Sequence, residues 1–215
     1  PIDDPAYFFL NYFANVFDYG IWFPNLVCAT IFCTGLAIFC QHMPNKWLSL
    51  AVSIPYIVLV VSINYTRQSA SLGLSMIALT LLFDKRNLAF FISVIAASLF
   101  HVSAVIFIFF GILGSIRRKI ISILVIIVIA YLLFYWFIEP RLESVIANYM
   151  RPAMYSDGAE VRLALNCLPA IIFLLFSSRF HITQDLRRFW QWWAISILCL
   201  IPVMWFLYPS TTIVD

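Results

Sequence analysis

The sequence predicts an all-α protein: a polytopic transmembrane helical bundle with a broken, re-entrant helical hairpin and an amphipathic external helix. Three observations lead there. Of 215 residues 64% are hydrophobic and 11% charged, at a mean hydropathy of +0.98, whereas soluble chains run near half apolar and a quarter charged. The apolar residues fall in solid blocks, at 21–40, 47–63, 69–83, 88–113, 120–138, 163–178 and 189–208. A bilayer core of ~30 Å takes ~20 helical residues, so most blocks are single spans, and 69–83 is short. A β-barrel would instead need short alternating segments. Third, the basic residues sit in the connections, and mostly on one side.

That last pattern sets an orientation. With the stretches 41–46, 84–87, 115–119 and 179–188 in the cytoplasm, nine of the 13 basic residues face inward. The outer side keeps Arg67, Arg141, Arg151 and Arg162, with eight of the ten acids. Basic residues scattered in this way also argue against nucleic-acid binding.

Taken in order, the chain begins at Pro1 with no Met, signal peptide or basic leader, and reads as a piece of a longer membrane protein. Asp4 stands where an N-cap would, and Pro5 fits the first helical position. Asn11 and Asn15 share a face of the largely aromatic helix that follows. The block 88–113 lies between two basic clusters assigned to the same side, so the chain must cross an even number of times between Asn87 and Arg117. The intervening residues make only ~43 Å of helix at 1.5 Å each, too little for two full spans. A hairpin of two half-length helices results, its apex near Phe100–Ser103, with His101 at the apex between Ser98 and Ser103. Irregular backbone at membrane depth is tolerated where protein or a wet cavity surrounds it.

After Glu139, Pro140 suits another helix start, and Leu142, Val145, Ile146, Tyr149 and Met150 recur on one face. This predicts an amphipathic helix along the outer interface. Trp22, Trp47, Trp136, Trp190, Trp205 and Tyr208 fall near block ends as interface anchors. With no internal repeat and no low-complexity linker, 1–215 reads as one transmembrane domain.

Cys28, Cys33, Cys40, Cys167 and Cys199 all lie inside apolar blocks, which is neither a disulfide framework nor zinc spacing. Other residues carry chemistry. Arg67 interrupts two apolar blocks on the outer side, and Ser69 and Gly73 after it form a small-xxx-small pair that permits close helix contact. A guanidinium there calls for an anion, and a helix N-terminus adds donors suited to phosphate. The other reading of Arg67 is a snorkelling turn arginine. His101 is either a hydrogen-bonded packing residue, with Ser98 and Ser103 as partners, or a general base, acid or phosphate ligand. No second ligand stands a turn away, so no metal site is expected. Arg162 ends the outer loop 155–161 and opens a block with Asn166 and Pro169; Glu160 either neutralises it or leaves it for a ligand. Arg141 and Arg151 belong to the external helix and its exit, solvated or bound to headgroups. Outer-side arginines with one histidine suggest a pyrophosphate handled without a metal ion, a task that suits the planar guanidinium fork.

The order of motifs resembles the EpsG-like family, Wzy-type polysaccharide polymerases of bacterial inner membranes. Thr66-Arg67-Gln68-Ser69-Ala70 and Leu99-Phe100-His101-Val102-Ser103-Ala104 are similar to its "RQ…A" and "FH.SA" signatures. Asp157-Gly158-Ala159-x-x-Arg162 with Asn166-Cys167-Leu168-Pro169 resembles its "GA..R…N..P" stretch, and Asp4-Pro5-Ala6-Tyr7 its "EPGY", with Asp for Glu. Tyr208–Asp215 resembles the segment before an Asp-Arg pair of which only Asp215 is here. The likeness spans nearly the whole chain, and it implies that several N-terminal spans and the last one or more lie outside this sequence. A paired Arg-x10-Gly pattern of another Wzy subgroup is absent, with Ala78 and Phe173 at the glycine positions.

The resemblance implies transfer of a growing glycan from undecaprenyl diphosphate to a new undecaprenyl-diphosphate-linked repeat unit, on the outer face of the inner membrane. It implies catalytic roles for His101, Arg67, Arg162 and Asp4, with His101 the first choice as base and Asp4 the second. It implies substrate binding by Gln68, Ser103, Asn166, Arg151, Arg141 and Asp215, no cofactor, and a chain-length regulator protein as partner. The competing classes are a glycan transporter, an O-antigen ligase-like transferase, a membrane acyltransferase and a purely structural subunit. A transporter predicts inverted repeats and midplane charges, which the sequence does not display.

Overall fold

The computed structural model describes residues 4–108, 111 and 159–206, and every regular element among them is helical. The external helix after Pro140 lies outside the described residues, as do the block 120–138, Arg141, Arg151 and Asp215. The chain divides into two compact units, Pro1–Ile108 and Phe109–Asp215.

In the first unit α1 is Pro5–Val16. Proline at N1 starts it, because an absent N–H costs nothing there. Just past its end, Asp18 has a positive φ of 55°, which lets the Tyr19 N–H reach back to the Ala14 carbonyl at 2.8 Å. α2, Trp22–His42, is among the described residues the one helix long and apolar enough to cross a bilayer. Its 21 residues make about 31 Å at the standard rise. α3 starts at Lys46, capped by the Asn45 side chain, which accepts from the Leu48 N–H at 3.1 Å. From Ile54 to Ser62 it widens into a π-helix, just where Pro55 withdraws a backbone donor. α4 is Thr66–Phe83 and α5 is Asn87–Phe100.

α4 is the central helix. Its buried face is built of small residues, among them Ser69, Ala70, Gly73, Ser75 and Ala78. The buried stripe of α2 (Cys28, Phe32, Gly35, Leu36, Cys40) packs on one side of it, and Phe90 and Val94 of α5 pack on the other. A Cβ on Gly35 would stand 2.1 Å from the Gly73 carbonyl oxygen, and one on Gly73 2.6 Å from Phe32 Cα. The two backbones therefore touch, as the small-residue spacing around Ser69 and Gly73 anticipates. The buried hydroxyls satisfy themselves within the helix: Ser69 donates to the Thr66 carbonyl (2.8 Å), Ser75 to Ser71 (2.9 Å) and Thr80 to Ile77 (2.7 Å).

α5 stops where the sequence reading puts the hairpin apex. His101 is extended (φ −159°, ψ 122°) and is followed by a 3₁₀ turn over Val102–Val105. Phe107 and Ile108 then pack against the Ala78–Phe90–Val94 cluster. In one straight helix Val94 and Phe107 would stand about 20 Å apart, so the chain reverses at His101. Most of the second arm lies outside the described residues.

The ends of this unit differ in charge. The turns after α2 and α4 come together through His42 Nε2, 3.6 Å from Asp84 Oδ2, and that end carries Lys46, Lys85 and Arg86. The start of α1, the start of α4 and the end of α5 make up the opposite end.

The second unit holds α6, Ala159–Phe176, and α7, Gln184–Phe206, joined through a 3₁₀ turn at Ser177–Arg179. Among the described residues Phe189, Cys167, Ala170 and Ala194 are its buried apolar ones, and Gln191 donates to the Ser177 hydroxyl at 3.3 Å. α7 begins inside the stretch read as a basic loop, because Thr183 accepts from the Leu186 N–H (3.4 Å) and Asp185 stands in the first turn.

Candidate functional site

Three elements meet at the end of the first unit that lacks Lys46, Lys85 and Arg86. α4 brings Arg67 and Gln68 in its first turn, the break after α5 brings His101, and the residue before α1 brings Asp4. Asp4 occupies the N-cap position of α1, yet its carboxylate caps nothing. Its backbone carbonyl accepts from the Phe8 N–H at 2.9 Å, while the side chain turns inward and is only 8% exposed. There Oδ2 accepts from Arg67 Nη1 at 2.6 Å, and Oδ1 lies 3.8 Å from His101 Nδ1. One buried carboxylate thus faces both the guanidinium and the imidazole. It answers the desolvation demand that the sequence reading assigns to an anionic ligand on Arg67.

Arg67 itself stays open, with 56% of its side chain exposed and its guanidinium carbon 5.8 Å from the centre of the Tyr7 ring. His101 Nε2 lies 3.5 Å from Gln68 Nε2. Ser98 and Ser103 are not the ring's partners. Ser98 spends its hydroxyl on the Ile95 carbonyl (2.7 Å), and among the described residues no hydrogen bond joins either serine to His101. Ser103 is exposed on the 3₁₀ turn.

Around these groups is a cavity of about 280 Å³, lined by Tyr7, Asn64, Tyr65, Thr66, Arg67, Gln68 and His101. Asp4 is not part of its lining; it stands behind Arg67, with which it is hydrogen-bonded, and behind His101. Tyr7, Asn64 and Tyr65 are lining residues that sequence reasoning passes over. The signal was present, since Asn64 and Tyr65 belong to the polar interruption before α4. Tyr7 reaches the cavity only because α1 lies across the end of the bundle. Among the described residues no cluster of three or more His, Cys, Asp and Glu is arranged to hold a metal ion.

In the second unit the backbone at Arg162 belongs to the first turn of α6, and Asn166 is exposed one turn later. Both residues belong to the second unit.

Chemically, the cavity joins a fixed guanidinium and an imidazole with a neutral wall of two phenols, two amides and a hydroxyl. The first pair suits an anion whose charge grows during a reaction. A carboxylate behind the imidazole is the arrangement that orients a base. The model of the EpsG family matches residues 3–215 of the chain. Among curated proteins and among solved structures none matches.

Proposed function

The chain belongs to the EpsG family, a membrane protein family with a polysaccharide polymerase-like role, and on that premise we propose a specific activity. It is a multi-pass glycosyltransferase of the bacterial inner membrane that polymerises undecaprenyl-diphosphate-linked repeat units on the outer face, with no metal ion. The observation that carries the reading is the buried Asp4 carboxylate held between Arg67 (2.6 Å) and His101 (3.8 Å) at the wall of an open polar cavity. Its orientation is supported by the placement of Lys46, Lys85 and Arg86 at the other end of the same unit.

In this reading the hydroxyl oxygen of the acceptor sugar attacks the anomeric carbon of the donor glycan. The bond from that carbon to the diphosphate oxygen breaks, and its electron pair leaves with the lipid diphosphate. The hydroxyl proton passes to His101 Nε2. Asp4 faces Nδ1, which favours the tautomer with its proton there and leaves the Nε2 lone pair as the acceptor, facing Gln68 Nε2 at 3.5 Å until the substrate hydroxyl takes that place. The leaving diphosphate gains charge as the bond breaks, and the outward half of the Arg67 fork stabilises it. Asp4 is then a positioning residue rather than a second base, since its own carboxylate is committed to Arg67.

Deletion of the gene and gel analysis of surface glycan tests the activity. Single repeats in place of a ladder support a polymerase. Complete loss of exported glycan contradicts it and points to a transporter.

A further inference from the structure

We propose that the cavity is divided: Arg67 and His101 form its diphosphate seat, while Tyr65, Asn64, Gln68 and Tyr7 form a glycan subsite for the sugar joined to that diphosphate. This inference rests on the lipid-diphosphate reading above and goes beyond it by assigning the neutral wall. Of the seven lining residues only Arg67 and His101 carry or accept charge. Those two can answer the charge of a diphosphate, and the other five add more neutral groups than a bare diphosphate needs. A pyranose can use them, because it presents an apolar C–H face to an aromatic ring and a rim of hydroxyls to amides.

The neutral groups are in a state to bind. Tyr65 leaves half its surface open, at 54% exposure. Asn64 donates one N–H to the Val60 carbonyl at 2.8 Å. That bond fixes its amide and leaves the second N–H and Oδ1 as a donor–acceptor pair. Gln68 is held likewise through His101 at 3.5 Å, with Oε1 and one N–H remaining. Two fixed amides of this kind can each bridge neighbouring sugar hydroxyls. Tyr7 joins the zones, since its ring lies against the Arg67 guanidinium and also lines the cavity.

The test is lipid binding by the full-length protein in nanodiscs, with two probes. One is undecaprenyl diphosphate itself, and the other is the same lipid carrying the repeat unit extracted from the producing cells. Gln68→Ala and Tyr65→Ala are expected to weaken the sugar-bearing lipid about tenfold, the value of roughly one lost hydrogen bond or stacking contact. Both should leave the bare lipid within about twofold, which also shows that the variants are folded. Arg67→Ala should weaken both probes. Equal weakening of the two probes by Gln68→Ala and Tyr65→Ala, or weakening of neither, overturns the glycan subsite while the diphosphate seat stands. Failure of the wild-type protein to bind either probe overturns both readings.

Discussion

Asp4 and Arg67, 63 positions apart in the chain, close an ion pair of 2.6 Å in which the carboxylate is buried and the guanidinium stays open. In the proposed activity this asymmetry gives the two residues different roles. The buried partner fixes geometry, and the exposed one keeps the rest of its donors for a ligand. A guanidinium already neutralised from behind can sit at a membrane interface in the ligand-free protein without a large desolvation cost.

Arg67→Lys separates structure from function. The ammonium keeps a charge for Asp4, so thermal stability should stay near that of the wild type. The bidentate fork is lost, so transfer should slow by about tenfold or more. Polymer formation by purified protein, set beside its melting temperature, reads both. Full activity in Arg67→Lys means that Arg67 only pairs with Asp4.

Asp4→Asn keeps the shape of the side chain and removes its charge. Arg67 then loses a charge-assisted bond of about 1.5–3 kcal/mol, and His101 loses the group that selects its tautomer. The expected result is a fall in kcat of roughly ten- to a hundredfold with a smaller change in KM, because Asp4 does not line the cavity. A rise in KM alone contradicts the positioning role.

Gly35 and Gly73 set the distance between α2 and α4. An added methyl group at either position meets backbone atoms at 2.1 or 2.6 Å, where no side chain can yield. Gly35→Ala or Gly73→Ala should cost about 3 kcal/mol or more, read as a lower melting temperature in detergent. Unchanged melting in both variants contradicts the backbone contact.

The fold was legible in the sequence where composition decides it. Trp22–His42 is a solid apolar block of spanning length, and the two-sided charge pattern required a reversal between Asn87 and Arg117, which the structure places at His101. Among the described residues the other blocks do not combine the length and hydropathy of α2: α5 is cut at His101, and the apolar helix Lys46–Ser62 is shorter. The π-helix after Ser53 left no trace in the apolar pattern, because widening a helix does not change which residues are apolar. At the site, Arg67, Gln68 and His101 stood out as polar residues in apolar surroundings and do come together. Local sequence reveals Asp4 as a helix start, and the resemblance makes it a candidate base, but neither reveals a partner 63 positions away. Tyr7 looked like one aromatic among many, and tertiary placement alone distinguishes it.

Orientation is open to cysteine labelling in a variant whose five native cysteines are replaced. Asn64→Cys should react with a membrane-impermeant reagent from outside, and Lys85→Cys only after permeabilisation, because the two lie at opposite ends of one unit. Arg162→Cys should follow the first pattern and Arg118→Cys the second. Labelling of position 85 from outside in intact cells contradicts the topology.

The central claim is that the Arg67–His101 cavity is where glycan transfer occurs. The most direct measurement is the length distribution of surface glycan in strains carrying Arg67→Ala or His101→Ala, with the full-length protein present at normal levels. The account predicts single repeats and short oligomers in place of a ladder, since each change removes on the order of 1.5–3 kcal/mol or more of transition-state stabilisation. Wild-type ladders from both strains would contradict it.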